Sequence, residues 1–183
     1  YLTATNRMAT LSSGALIDPS ISDFTTNGPG ASLDLRGANF SGENLRYYRF
    51  NGKDLTGANF SGATLHNTLF GSATLDSAVF DNADAKNSYW RGANGTNVSF
   101  RNVDFSAEES LGGYRRTIHM ANFTDSDFTG SDFTGARMDT GRLINSDFTN
   151  VNFTGVQLGG EGRLTDSIFE NAKFDDAYFM ATW

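Results

Sequence analysis

The strongest constraint on the fold is a hydrophobic period of five residues. From Leu35 to Phe105, every fifth position is apolar in 13 of 15 cases, with Ala85 and Gly95 as the exceptions. The same period, shifted in phase twice further along the chain, accounts for 15 of the 16 phenylalanines. A strand alternates every two residues and an amphipathic helix about every 3.6, so neither element explains this pattern. A solenoid in which each pentapeptide is one structural unit does explain it.

Each unit contributes one large and one small inward side chain. The residue two positions before each apolar centre is small in 23 of 28 units, and the other three positions are mostly polar or glycine, which is the composition of turns and solvated surface. The large centres therefore form the expected core, represented by Phe40, Phe60, Phe80, Trp90, Phe100, Phe123, Phe133 and Phe153.

These units resemble a known family. The sequence Ala-Asn-Phe-Ser-Gly occurs at 38–42 and 58–62, and Ala-Asn-Phe-Thr occurs at 121–124. In these motifs, and over residues 33–180 as a whole, the chain resembles the pentapeptide-repeat proteins. The resemblance implies an all-β fold, a right-handed quadrilateral parallel β-helix in which four pentapeptides form one coil.

The residues themselves favour four sides. Leucine and phenylalanine centres alternate from Leu35 to Phe80, which in a four-sided coil places the aromatic rings on two opposite walls. Trp90, the largest centre, then has Ala85 and Gly95, the two smallest, on the adjoining sides of its coil, as dense packing requires. The 28 units predict about seven coils.

The length of 183 residues suits a single domain. Residues 1–32 lack the period and contain both prolines, so we expect an irregular N-terminal cap. Residues 33–183 form the predicted β-helix. A shift of phase predicts a loop at 106–117, and an extra residue among glycines predicts a bulge at 159–162.

The loop lies beside the most plausible partner-binding strip. Counting sides places it at the wall that carries Phe50, Phe70 and Trp90, whose outward column is Arg49, Leu69 and Tyr89. Loops on rigid scaffolds tend to carry function, and aromatic residues and arginine are enriched at interfaces. The candidate strip is Arg49, Leu69 and Tyr89 with the loop residues Tyr114, Arg115 and Arg116. Leu69 and Tyr89 also fit the alternative of ordinary scattered apolar surface residues.

The C-terminal end is aromatic. An open β edge must be covered, so Tyr178, Met180 and Trp183 are expected either to cap the last coil or to join two copies end to end in a homodimer.

Few residues suggest chemistry. The chain has no cysteine, and its only histidines, His66 and His119, follow apolar centres far apart in sequence without a recurrent acidic partner. The sequence therefore predicts a protein that is not an enzyme, with no catalytic residues, cofactor or metal. No stretch reaches membrane-spanning length. The chain begins at Tyr1, and both a cytoplasmic and an exported location (periplasm or lumen) stay open.

Charge supplies the remaining lead. Residues 118–183 hold ten acidic and four basic groups, whereas residues 1–117 hold eleven and ten. Direct nucleic-acid binding is disfavoured, because phosphate contacts need a positive face. Some pentapeptide-repeat proteins imitate DNA with an acidic rod and bind type II topoisomerases such as DNA gyrase, which protects the host from quinolones or peptide toxins. That resemblance implies an acidic face at Asp127, Asp132 and Asp147.

Three readings of function follow. The leading one is a non-enzymatic scaffold that binds a protein partner through a wall, loop or end. The second is the DNA-mimicking binder of gyrase. The third is a structural repeat region of a larger secreted or surface protein.

Overall fold

The fold was obtained as a computed structural model. The structure describes residues 34–107, 118, 120–138, 141–159 and 164–179. The predicted cap at 1–32 and most of the predicted loop lie outside these residues, as does the predicted bulge apart from Gly159. The division into a cap and a single β-helical domain, and the count of about seven coils, stay predictions.

The chain forms a right-handed four-sided parallel β-helix, as the period predicts. Five strands are long enough to be named: β1 (Asn94–Thr96), β2 (Asn122–Thr124), β3 (Arg142–Ile144), β4 (Gln157–Leu158) and β5 (Tyr178–Phe179). β1, β2 and β3 form one parallel sheet in that order, and β4 pairs in parallel with β5. Elsewhere each side pairs with the next coil through single parallel bridges, such as Asn39 with Asn59.

The bridges define four walls, which we number by their inward centres. Wall 1 carries Leu35, Leu55, Leu75, Gly95, Phe123, Leu143 and Leu164. Wall 2 carries Phe40, Phe60, Phe80, Phe100, Phe128, Phe148 and Phe169. Wall 3 carries Leu45, Leu65, Ala85, Phe105, Phe133, Phe153 and Phe174. Wall 4 carries Phe50, Phe70, Trp90, Ile118, Met138, Leu158 and Phe179.

Turns at the corners make the five-residue unit possible. At most corners the amide three residues after the centre donates to the carbonyl of the centre, as from Ala58 to Leu55 at 2.9 Å. The residue two after the centre has positive φ, as in a type II turn. Glycine occupies that position in Gly57 (φ 69), and asparagine does so in Asn82 (φ 60). This requirement explains why these two residue types recur in the polar phase.

The core is a stack of aromatic rings. On wall 2, consecutive rings from Phe40 to Phe169 lie 4.7–5.1 Å apart and nearly parallel. The eight predicted core centres are all buried. Trp90 stacks on Phe70 at 4.2 Å, and its indole Nε1 donates to Ser88 Oγ. A Cβ on Gly95 would lie 2.5 Å from Val98 Cγ2, so the space beside Trp90 is already filled.

Candidate functional site

Wall 4 carries the predicted strip. Arg49 is bridged to Leu69, and Leu69 is bridged to Tyr89, so the three residues stand in one outward column. The side chain of Arg49 is exposed, while those of Leu69 and Tyr89 are half-buried. Tyr114, Arg115 and Arg116 lie outside the described residues. Phe105 is the last described centre before the predicted loop and lies on wall 3, and Ile118 is the next described centre and lies on wall 4.

Charge differs between the walls. The outward column of wall 4 continues with Arg137, Gln157 and Tyr178, and Arg91 lies beside it. Within the described parts of the chain, no acidic side chain lies in the outward positions of this wall. Wall 3 instead carries the bridged column Asp84, Asp104 and Asp132, and wall 2 carries the bridged pair Asp127 and Asp147.

The predicted acidic face is therefore split between two walls. Asp127 and Asp147 lie in adjacent coils on wall 2, while Asp132 lies around the corner on wall 3. Asp84 and Asp104 extend the wall 3 column. These two residues were missed at the sequence level, although their place one residue before a centre, combined with a count of sides, would have found them.

Asp127, Asp132 and Asp147 each also stabilise the turn that follows them. The Oδ1 atoms of Asp127, Asp132 and Asp147 accept hydrogen bonds from the amides two residues later, at 2.9 Å in each case. Asn152 accepts the equivalent bond from Thr154 at 3.1 Å without carrying a charge. The backbone role needs only the side-chain oxygen, so the charge is separable from the fold.

Two carboxylates of the wall 3 column lie next to basic side chains. Lys86 Nζ lies 3.0 Å from Asp104 Oδ2, and His66 Nε2 lies 2.5 Å from Asp84 Oδ2. Burial of Asp104 favours its neutral form, but hydrogen bonds from Ser106 and Lys86 outweigh that effect and hold the pKa of its carboxyl below the ordinary value. Asp132 and Asp147 have no ion-pair partner among the described residues.

Arginine side chains form further ion pairs on the outside of the rod. Arg101 contacts Asp81 Oδ2 at 2.5 Å and lies 3.8 Å from Asp127 Oδ2, so it partly screens one residue of the acidic face. At the first described coil, the side-chain hydrogen bond from Arg36 lowers the pKa of Asp34 to about 2.

The C-terminal end exposes apolar side chains. Tyr178 and Phe179 in β5 are 61% and 58% exposed, and Phe174 is also exposed. Met180 and Trp183 lie outside the described residues. Capping or homodimer formation at this end stays a prediction.

The described residues contain no group of three His, Cys, Asp or Glu side chains that could hold a metal ion. No helix in the described part of the chain has the length and apolar character needed to cross a membrane.

Stacked five-residue sides, aromatic columns and turn-forming asparagines define a four-sided solenoid repeat protein. The chain belongs to the pentapeptide-repeat family, because the profile of pentapeptide repeats matches it in 8 copies over residues 34–71, 73–107 and 120–142. No curated protein sequence matches the chain significantly.

Several solved structures match the chain. A trypsin-treated variant of QnrB1, a plasmid-mediated fluoroquinolone resistance protein, is 20% identical, with 80% of this chain and 74% of that chain covered and a TM-score of 0.50. HetL, a pentapeptide repeat protein involved in heterocyst differentiation regulation from the cyanobacterium Nostoc sp. strain PCC 7120, is 14% identical over 74% of this chain and 89% of its own, with a TM-score of 0.23. A pentapeptide repeat protein from the Arabidopsis thaliana thylakoid lumen is 23% identical over 64% and 66%, with a TM-score of 0.24.

Proposed function

We propose that this protein is a non-enzymatic scaffold that binds a protein partner through wall 4. The observation that carries the proposal is the outward column Arg49, Leu69 and Tyr89, which combines a cation with apolar and aromatic side chains. Aromatic residues and arginine are the side chains that most often dominate interface energies. Walls 2 and 3 present mainly acidic and small polar groups in the same positions, so wall 4 is the apolar and basic side of the rod.

The loop belongs to this proposed interface. The chain leaves wall 3 after Ala107 and resumes on wall 4 at Ile118. Tyr114, Arg115 and Arg116 lie between these two points in the sequence, and they have the same aromatic and basic character as the strip. A partner that contacts Tyr89 is expected to contact these residues as well.

The test replaces the strip without disturbing the coil. Threonine occurs naturally in this outward phase at Thr64 and Thr74, so the combined variant Leu69→Thr, Tyr89→Thr and Arg116→Ser suits the turn chemistry. Val79→Thr on wall 2 is the matched control. Affinity purification from extracts of the source cells, with quantification of each captured protein, should show a partner lost with the combined variant and retained with the control. Retention of every captured protein by the combined variant would refute the proposal.

Gyrase binding by DNA mimicry is the second candidate, favoured by the unneutralised carboxylates of Asp132 and Asp147. Coils lie about 4.8 Å apart, so the two residues of the predicted acidic face in one coil, Asp127 and Asp132, supply about one charge per 2.4 Å of axis, against about one per 1.7 Å in duplex DNA. The next coil pairs Asp147 with the neutral Asn152, which halves that density. The acidic face therefore approaches the charge density of DNA over one coil only. For this reason wall 4, rather than the acidic face, is the leading candidate interface. The shared fold with QnrB1 makes gyrase the first topoisomerase to test.

The test of mimicry removes the negative charge of each aspartate while keeping the side-chain oxygen that stabilises its turn. The variant Asp127→Asn, Asp132→Asn and Asp147→Asn keeps each side-chain oxygen, as Asn152 does naturally, and removes three charges. Asp54→Asn on wall 1 is the control, because Asp54 accepts the same turn bond from Thr56. Inhibition of gyrase supercoiling and rescue from a quinolone should weaken in the triple variant only. Absence of inhibition by the parent protein at high concentration would eliminate this candidate.

A further inference from the structure

An open groove lies at the corner between walls 4 and 1. It has a volume of about 460 Å³ and is lined by Gly71, Ser72, Tyr89, Arg91, Gly92, Asn94 and Met120. This volume lies within the range of about 300–1,000 Å³ that is typical of sites for small ligands and peptide side chains. The groove begins at Tyr89, the end of the outward column described above, so it continues the proposed interface.

The floor of the groove is formed by turn residues with little or no side chain. Gly71 directly precedes Ser72 in one coil, and Gly92 occupies the turn position of Ser72 in the next coil. A Cβ on Gly71 would lie 2.9 Å from Asn51 Oδ1, the atom that accepts the Gly71 amide hydrogen bond. Gly92 has φ +68, which disfavours any side chain there. The local geometry therefore keeps the floor open.

One edge of the groove departs from the repeat pattern. Met120 occupies the turn position that is Gly52, Ser72 and Gly92 in the preceding coils, and it has φ 53 and is 51% exposed. A left-handed conformation is costly for a residue of this kind, and strained residues cluster at sites of binding. Methionine is a flexible apolar side chain suited to adaptable binding surfaces. Asparagine would adopt this turn conformation at a lower cost, so the turn itself does not explain why methionine occupies the position.

The other edge supplies charge. Arg91 is exposed, and its guanidinium has neither an ion pair nor a hydrogen bond with any described residue. The wall to which it belongs carries no outward acidic group within the described ranges. An arginine in this setting favours a carboxylate ligand, which it can bind through two parallel hydrogen bonds.

We propose that this groove binds a protein segment that carries a carboxylate next to an apolar side chain. Arg91 pairs with the carboxylate, and the apolar side chain lies between Tyr89 and Met120. The inference rests on the proposed function and names the chemistry of the partner. A protein segment is favoured over a small molecule because the groove is open and continuous with the column Tyr89, Leu69 and Arg49, which spans two coil steps or about 10 Å.

The probe is the acetylated peptide Gly-Asp-Phe-Asp-Leu-Gly amide, compared with its neutral analogue in which both aspartates are asparagine. Methionine methyl groups labelled with ¹³C report the site, and Met120→Asn assigns the Met120 signal. The acidic peptide should shift the Met120 signal in a saturable manner, with a dissociation constant in the range of about 0.1–1 mM. Met138, buried on the same wall, should not shift.

Variants separate binding from folding. Arg91→Gln should weaken binding of a fluorescent version of the peptide by at least about tenfold, or about 1.4 kcal/mol, because it removes the charge-assisted pair with the carboxylate. Met120→Asn should weaken binding while leaving the protein at least as stable. Equal shifts with the acidic and neutral peptides, or no Met120 shift with either, would overturn the proposal.

The two proposals fail in different ways. If the combined strip variant loses the captured partner while Arg91→Gln and Met120→Asn retain it, wall 4 is the interface and the groove is not its anchor. If the strip variant retains every partner, the wall 4 proposal fails whether or not the peptide binds.

Discussion

The two halves of the rod fill the same coil differently. In residues 34–107 the aromatic columns lie on opposite walls, with Phe40, Phe60, Phe80 and Phe100 facing Phe50, Phe70 and Trp90 across the core. From Phe105 onward the second column moves to wall 3, where Phe105, Phe133, Phe153 and Phe174 stack 4.6–5.5 Å apart. Rings on opposite walls meet edge to face, as Phe70 and Phe80 do at 87°. From Phe128 onward, neighbouring rings on the adjacent walls 2 and 3 meet at 50–53°, as Phe148 and Phe153 do at 53°.

The corner between walls 1 and 2 also changes. In the first half the turn is closed by its own backbone, with the Ala78 amide donating to the Leu75 carbonyl at 2.9 Å. From Gly95 onward the side extends into β1, β2 and β3, and serine hydroxyls of the next coil accept the amides instead. These bonds run from Val98 N to Ser126 Oγ, from Ser126 N to Ser146 Oγ and from Ser146 N to Ser167 Oγ, at 3.1–3.3 Å.

The comparison teaches that the small inward position has two roles. Alanine there only saves space, whereas serine replaces a missing backbone hydrogen bond and links neighbouring coils. A buried amide must find an acceptor, so the extended corner depends on these hydroxyls. The period of five therefore fixes the coil but not the way in which each corner is closed.

Truncation of a phenylalanine side chain in the wall 2 stack is expected to have the largest effect on stability. Phe80→Ala should lower the free energy of unfolding by about 3–5 kcal/mol, because the removed ring leaves a cavity in a packed stack. Phe148→Ala should lower the free energy of unfolding by about 0.5–1.5 kcal/mol less than Phe80→Ala does. The reason is that Phe80→Ala removes two edge-to-face ring contacts, whereas Phe148→Ala removes one tilted contact within its coil. Urea unfolding of the two variants measures the difference. A larger loss for Phe148→Ala would break the proposed contrast between the halves.

Removing one hydroxyl of the serine column should have the next largest effect. Ser146→Ala leaves the buried Ser126 amide without its acceptor, and an unsatisfied buried group costs about 1–3 kcal/mol. Ser61→Ala, an outward serine of the first half, is the control and should change stability by no more than about 0.5 kcal/mol. Thermal unfolding compares the two, and similar small losses would show that the hydroxyls are not needed to close the corner.

Much of the fold could be predicted from the sequence. The phase of Phe60 or Phe133 alone specifies an inward side chain, because a five-residue unit with a turn leaves no freedom in which residue faces the core. Counting in fours also places Arg49, Leu69 and Tyr89 in one column. The same count, continued through the break, would have predicted that Asp132 lies on a different wall from Asp127.

Other features could not be predicted, because they depend on neighbours in the next coil. Whether the corner after Gly95 closes on itself depends on Val98, which fills the space of a missing Cβ, and on the hydroxyl of Ser126, which accepts the Val98 amide. The groove is lined by Gly71 in one coil, by Gly92 at the next turn position of the following coil, and by Met120 in the coil after that. A one-dimensional pattern records each of these residues but not their juxtaposition.

A third and smaller effect compares Met120 with Asn150, which occupies the same turn position, two residues after the centre, on wall 2. Met120→Asn should raise the free energy of unfolding by about 0.5–1 kcal/mol, because asparagine adopts the left-handed conformation more readily. Asn150→Met, which places methionine at an exposed turn with φ 60, should lower it by about the same amount, again near 0.5–1 kcal/mol. Chemical denaturation gives both values. A loss of stability in Met120→Asn would mean that the methionine supports the fold, which would also remove the main reason for assigning it to the groove.

The smallest expected effect concerns the ion pair between Asp81 and Arg101, which links two adjacent coils of the first half. Burial favours the neutral form of Asp81, yet hydrogen bonds from Arg101 and Ser99 outweigh it and hold the pKa of this carboxyl below its ordinary value of 3.8. The folded state thus binds fewer protons than the unfolded chain, so the contribution of Asp81 to stability is complete above pH 3.8 and is lost as the pH falls through the lower folded value. The melting temperature of the parent protein should therefore fall more steeply below about pH 4 than that of Asp81→Asn.

A double-mutant cycle assigns this pH dependence to the pair. Arg101→Gln removes the partner, and the combined variant should then melt as either single variant does, because each change removes the same interaction. The exposure of Arg101 keeps the effect small and sensitive to salt, so the comparison belongs at low ionic strength. Additive losses would show that Asp81 and Arg101 act independently. Arg101 would then act through Asp127, whose Oδ2 lies 3.8 Å from Arg101 Nε.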